Sequence, residues 1–395
     1  PEAPPAQPWD RTGWGFGGLP AANYNSDEGA GFGVVGSVYR YDGHTRPYKT
    51  AVNAVVFVTT QAVHTHSLEL DALELGHKPV RLTIRGEFAS TGTSNYCGIG
   101  PEVTCDEGQA EAAADASGLT GEAREDFVRR YYRTRFLNPN AQVNVRWALD
   151  PLPHKVELVF GYRANGIVPG DFSDRAPWPG SLYAQDYPGG EAGLVSALQV
   201  GVMVDDRDVE PAPTRGYWAE ATVRGASFLL GSDWDFVGAN VTLRGYVPVG
   251  TARLVLADRV MFDVLAGDAP TLELSSPGGT QRYTFYGSLN AGRGIRLRRY
   301  IGALKSMNQT ELRWTFARVT VAAVDFDLAA LGFVDLGFVG AEAGDFAEAY
   351  SHPLPSTGGG LRIAVDRNFV VRADVGVSPL EGWAPAVYID LKNVF

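Results

Sequence analysis

Alternation with a period of two is the feature that most narrows what this chain can become. Between Pro79 and Phe88, the apolar or small residues Leu82, Ile84, Gly86 and Phe88 take turns with Arg81, Thr83, Arg85 and Glu87. One face is apolar and the other charged, the signature of a strand with one wet side. The pattern returns with Glu220, Thr222 and Arg224, and with Glu311, Arg313 and Thr315 set against Leu312, Trp314 and Phe316. It returns again with Arg372 and Asp374 set against Val371, Ala373 and Val375. In a soluble sandwich the apolar faces would meet a second sheet, and in a lipocalin-like barrel they would point inward. Periodicity alone does not choose the direction. Arginine and glutamate repeated along many long strands favour a charged lumen and an apolar face turned to lipid.

Composition agrees with this reading. A mean hydropathy of −0.10 suits a wall that alternates lipid-facing and lumen-facing side chains. No run approaches the roughly 18 apolar residues of a spanning helix, so any membrane crossing is made by strands. The 47 glycines and 11% aromatic residues suit turns, close strand packing and interfacial girdles. A net charge of −11 argues against nucleic acid as a partner, since little here would neutralise phosphates.

Segments of this kind fall near 12–24, 30–42, 48–60, 63–74, 79–90, 142–150, 154–165, 192–204, 216–230, 234–247, 252–264, 309–320, 325–339, 359–366, 369–377 and 386–395. About sixteen strands is an even number, as in bacterial outer-membrane barrels, and puts both termini on the periplasmic side. The long gaps 91–141, 166–191, 265–308 and 340–358 then all face outward, and the short gaps face the periplasm. The expected fold is all-β, a transmembrane antiparallel barrel over residues 12–395 after a flexible tail at 1–11. An exported barrel needs a signal peptide, and Pro1-Glu2-Ala3-Pro4-Pro5 is not one, so a processed chain is expected.

Cys97 and Cys105 bracket a loop rich in Gly and Pro, which reads as a disulfide in an oxidising compartment. A metal site would need more ligands than this stretch offers. Glu122 to Phe136, with acids early and arginines late, predicts a short helix in the same outer loop. His64 and His66 share a strand face and read as an interfacial pair. Asp205, Asp206, Asp208 and Glu210 read as a solvated turn balanced by Arg207, with calcium as the alternative. Trp14, Trp218, Trp234 and Trp383 sit near strand ends and read as girdle residues. Phe395 closes an alternating strand with Val387, Ile389 and Leu391 and reads as a C-terminal insertion signal, with Asn393 interrupting the face. Neither a nucleophile elbow nor a phosphate-binding loop is present, so no catalytic set, cofactor or metal is expected.

Three stretches resemble the BamA/TamA family of outer-membrane barrels. Gly292-Arg293-Gly294-Ile295-Arg296-Leu297-Arg298-Arg299-Tyr300 is similar to that family's sixth outer loop. Glu311-Leu312-Arg313-Trp314 resembles the strand after it, and Gly358 through Gly376, with the end at Phe395, resembles the last strands. Asp205 to Gly216 is similar to a periplasmic turn. The resemblance implies a loop folded back into the lumen, with an arginine paired to acids on the inner wall. Arg296 is the first choice for that arginine and Arg293 the second, within a motif of Gly292, Arg293, Gly294 and Arg296. Glu311 and Asp374 are the candidate partners, beside Arg313. The alternative is that these arginines only neutralise lumen acids. Leu297 stands where the family has glycine, which weakens any carry-over of insertase activity, and no room is seen before residue 12 for a POTRA domain.

The expected function is a structural barrel or docking platform plugged by its sixth loop, with a loop-gated pore or translocator as the alternative and an insertase as the third reading. Expected partners are outer-membrane lipid, the barrel-assembly machinery and a protein at the outer loops or the periplasmic rim.

Overall fold

Inward charge and outward hydrocarbon sort most of the sheet, with Asp258, Asn308 and Thr310 forming a hydrogen-bonded polar cluster on the outer face. In the computed structural model, which describes residues 12–25, 28–45, 48–149, 156–210, 212–281, 283–321, 324–365, 369–391 and 394–395, the charged face of every alternating segment lines the interior. Glu220, Thr222, Arg224, Glu311, Arg372 and Asp374 are buried there, while Phe32, Val34, Leu68, Val237, Val334 and Leu361 stand more than half exposed on the outside. Exposed apolar surface on this scale is unfavourable in water and favourable in a bilayer.

The strands are β1 (Thr12–Asn25), β2 (Gly29–Asp42), β3 (Thr50–Thr59), β4 (His64–Ala72), β5 (Val80–Asn95), β6 (Arg133–Ala148), β7 (Val156–Pro169) and β8 (Gly193–Asp205). They continue as β9 (Gly216–Ala226), β10 (Phe236–Val249), β11 (Thr251–Gly267), β12 (Leu304–Val321), β13 (Val324–Gly340), β14 (Leu354–Val365), β15 (Phe369–Val377) and β16 (Ala386–Leu391). Each pairs antiparallel with its sequence neighbours, and β1 also pairs β16, so the order of the sixteen strands among the described residues is a closed ring. Ring closure reduces the strand edge left open to the part of β1 beyond its short pairing with β16. The closing seam is short: Tyr24 opposite Ile389 and Asn25 opposite Tyr388, whereas β1 pairs β2 along its whole length.

Connection lengths sort by rim. The chain passes from β2 to β3, β4 to β5, β6 to β7, β8 to β9, β10 to β11, β12 to β13 and β14 to β15 in at most ten residues each, from strand ends at the rim where β1 starts. The opposite rim carries 26–28, 60–63, 96–132, 170–192, 227–235, 268–303, 341–353 and 378–385, which include all the long connections. The tail expected at 1–11 lies outside the described residues.

Three expectations change. The predicted helix over 122–136 is α2 (Gly121–Arg130), preceded by α1 (Glu107–Ala116), whose N-cap Asp106 accepts the Gly108 amide at 2.8 Å. Residues 133–136 join β6 instead, because pairing with β5 and β7 satisfies their backbone better than another helical turn would. Trp218 is no girdle residue: it is 4% exposed, inside the barrel, under the Arg244 guanidinium. Trp234 packs partly buried against an interior cluster, while Trp14 and Trp383 are exposed. Phe395 does not share the outward face of Val387 and Ile389. β16 ends at Leu391, and Phe395 is buried beside Tyr246 and Val255, its ring facing Arg259 and Arg313. The cationic faces of two inward arginines stabilise an aromatic ring there.

Candidate functional site: an inward loop on an acidic wall

Residues 268–303, between β11 and β12, fold into the lumen. Phe285, Tyr286, Ala291 and Ile295 of this loop are fully buried against Met261, Met307 and Val339 of the wall. Packing alone does not fix the loop's register. Polar groups fixed to the wall do so, because a buried donor or acceptor left without its partner is costly. The Gly278 amide donates to Asp263 at 2.8 Å, and the Thr280 amide donates to Glu220 at 2.7 Å. Asp263 also binds Arg224 at 2.8 Å and Lys305 at 3.1 Å. Arg163 pairs with Glu273 near the loop's start.

The centre of the site is Arg293. Gly292 and Gly294 flank it with φ of +66° and +104°, left-handed conformations that favour glycine. A Cβ on Gly294 would stand 2.5 Å from the Val377 amide nitrogen, so the loop backbone lies directly on β15. This close approach carries the Arg293 side chain into the wall. Its Nε and Nη2 donate to Asp335 at 3.1 and 3.0 Å, and Nη1 donates to Glu311 at 2.8 Å and to Asp374 at 3.3 Å. Its backbone amide donates to Asp335 at 3.2 Å, and its guanidinium stacks 3.5 Å from the Phe333 ring centre. The Gly294 amide donates to the Tyr388 hydroxyl at 2.9 Å.

The acids are shared with wall arginines. Glu311 accepts from Arg313 at 2.8 Å, and Asp374 accepts from Arg362 at 2.6 Å. Arg372 pairs with Asp374 at 3.5 Å and Asp390 at 3.0 Å, and donates to the loop at Leu289 and Asn290. Four arginines, Arg293, Arg313, Arg362 and Arg372, thus meet four carboxylates, those of Glu311, Asp335, Asp374 and Asp390. The arrangement is charge-balanced, with each guanidinium group paired to at least one carboxylate.

The order of preference between the two arginines is reversed. Arg296 is half exposed and pairs with Glu381 at 2.9 Å, at the rim, while Arg293 has no exposed surface. Gly294 carried the signal, because a side chain there would meet the β15 backbone, while Gly292 lies against Tyr286 and Gly287 of the loop itself. Sequence reasoning missed Asp335, Phe333, Arg362 and Tyr388. Asp335 was legible in the alternation of Phe333, Asp335, Gly337 and Val339 with Val334, Leu336 and Phe338.

A cap covers the loop at the long-connection rim. The Cys97–Cys105 disulfide is formed, and from the same connection the Gly100 amide donates to the Ile301 carbonyl at 2.9 Å. Asn95 donates to the Leu297 carbonyl at 2.8 Å, and Glu191 accepts the Thr271 amide at 3.0 Å. Elsewhere, His64 and His66 lie against Phe172 and Phe88 at the end of β4. Arg207 forms a two-point pair with Asp205, and Asp208 ties the turn through the Thr214 and Arg215 amides.

Comparison with solved structures places this ring of strands among known barrels. BamA from Haemophilus ducreyi lacking POTRA domains 1–3 superposes with a TM-score of 0.56 at 11% identity, over 97% of this chain and 70% of that one. CdiB from Escherichia coli gives 0.60 at 12% identity, over 99% of this chain and 63% of that one. The chain has the fold of a BamA/CdiB-type outer-membrane barrel. CdiB from Acinetobacter baumannii gives 0.51 at 11% identity, over 96% of this chain and 59% of that one. The chain thus spans less than two thirds of either CdiB. No protein-family model and no curated protein matches the sequence.

Proposed function

We propose that this BamA/CdiB-type barrel stands in a Gram-negative outer membrane with its short connections toward the periplasm, and that loop 268–303 holds its lumen shut. It acts as a docking platform whose working surface is the cap of long loops, where a protein partner binds. The observation that carries the closed state is Arg293, without exposed surface and bonded to three wall carboxylates. Breaking such a buried pair costs several kcal/mol, about 3–5, so the loop stays docked unless something else replaces those contacts.

A second reading, a pore gated by the same loop, is favoured by one observation. The polar row of Glu69, Arg85 and Glu87 on β4 and β5 keeps partial solvent exposure, with side chains 29%, 37% and 24% exposed. Conductance in planar bilayers separates the readings. A silent wild type that conducts once Arg293→Ala is introduced supports the plugged platform. Steady wild-type current overturns it in favour of the pore.

A further inference from the structure

Two lumen arginines stand outside the charge balance described above. Arg244 on β10 and Arg259 on β11 are directly opposite each other in the strand register, and both point inward. They are 5% and 1% exposed. Like charges facing each other across a strand pair repel, and the repulsion grows in a buried site. Every other fully buried arginine of the loop–wall contact meets a carboxylate, but neither of these forms an ion pair among the described residues. Arg244 donates to Gln281 at 2.6 Å, and Arg259 donates to Gln309 at 2.8 Å and to the Asn290 carbonyl at 2.7 Å. All three acceptors are neutral. The nearby Glu220 carboxylate is taken up by the Thr280 amide and hydroxyl.

Aromatic faces surround the pair. Trp218 lies 4.4 Å from Arg244, and Tyr283 and Phe395 lie 4.9 and 5.0 Å from Arg259. They supply polarisable surface but no counter-charge. A second observation is independent of charge. The Arg244 Nε, the Tyr246 hydroxyl and the Tyr283 hydroxyl are all buried without a hydrogen-bond partner. Both tyrosines lie within electrostatic reach of both arginines. Unused donors around two cations that have carboxylates within electrostatic reach but no ion-pair contact among the described residues define a site for an acceptor-rich anion.

We infer that Arg244, Arg259, Tyr246 and Tyr283 form a binding site for a small oxyanion of the phosphate class. Guanidinium forks match the paired oxygens of such an anion, and the phenol hydroxyls donate to the remaining ones. Arg259 also holds the Asn290 carbonyl, three residues before Arg293, so the bound anion lies beneath the plug and favours its docked form.

The test is thermal unfolding of the full chain in detergent, followed by tryptophan fluorescence. Inorganic phosphate is titrated against chloride at matched ionic strength. The expected result is a saturable rise in Tm with phosphate alone. Arg244→Gln and Arg259→Gln should each raise the half-saturating concentration by about tenfold, or about 1.4 kcal/mol, and the double variant should lose the response. Arg296→Gln, at the rim, should keep it. A wild-type Tm that does not distinguish phosphate from chloride overturns the site, and this arm needs no variant to fold. A double variant that responds like the wild type also overturns it. Either failure leaves the loop-closed barrel standing, because the Arg293 lock does not include this pair.

Discussion

Replacing Arg293 with Ala removes the one ion-pair partner that Asp335 has among the described residues. Glu311 keeps Arg313, and Asp374 keeps Arg362 and Arg372, so the loss falls mainly on Asp335, which has no exposed surface. Leaving one buried charge unpaired costs about 3–5 kcal/mol. The strand ladder is untouched, so the cost is relieved by undocking the loop rather than by unfolding the barrel. At about 1.4 kcal/mol per decade, the undocked fraction rises roughly a hundredfold to several thousandfold. Proteolysis within 268–303 reads that fraction directly when docking and undocking are fast relative to cleavage. Cleavage of Arg293→Ala should therefore be faster by at least about a hundredfold, with the barrel core intact. Adding Asp335→Ala removes the stranded carboxylate and should slow cleavage again by about tenfold, the cost of an unsatisfied buried group. Arg296→Ala should stay near wild type, because a half-exposed pair contributes at most about 1 kcal/mol. Cleavage of Arg293→Ala within about threefold of wild type, too small a change for a buried pair, would refute the lock, as would a double variant cleaved as fast as the single.

Three further outcomes follow from other contacts. Gly294→Ala combines a φ of +104° with a Cβ 2.5 Å from the Val377 nitrogen, so it should undock the loop as Arg293→Ala does, by the same protease assay. Breaking the disulfide with Cys97→Ser should destabilise the cap by about 2–3 kcal/mol, seen as faster nicking within 96–132 while the barrel Tm holds. Asp171 is lowered to about 2, chiefly by the Ser173 hydroxyl, then by the Ser173 and Asp174 amides and Arg135, against desolvation. A depressed folded value means its stabilisation is full above the unfolded value near 3.8 and is lost as pH falls toward about 2. Pepsin cleavage within 170–192, normalised to an unstructured peptide, should rise through that window in the wild type and stay flat in Asp171→Asn.

The strands were legible because a one-residue slip would turn the inward rows of charge into lipid, so alternation and register carry the same information. What failed was local. Arg133 to Ala141 contains Pro139 and two asparagines, poor strand formers whose pairing with β5 and β7 is decided by tertiary contact. Arg293 and Arg296 sit in one arginine-rich run, and charge alone does not say which reaches the wall. Gly294 beside Arg293 does, through the close approach to β15 that it permits. Phe395 reads as outward by simple extension of the β16 alternation, but the strand ends before it, at Leu391. Trp218 near a strand end reads equally well as girdle or lumen until its opposite neighbour, Arg244, is known.

Loop 268–303 does more than fill space. Through Arg293 it touches β12, β13 and β15, through Gly294 it touches Tyr388 of β16, and through Arg296 and Arg299 it reaches Glu381 between the last two strands. It acts as an internal strut for one arc of the wall. Those strands are braced from inside, and the six-residue β16 is held by the loop as well as by its neighbours. The arc from β1 to β4 makes no contact of this kind among the described residues, so nothing from the loop braces it. A thinner or thicker bilayer would deform the barrel unequally, with the first strands yielding before the last.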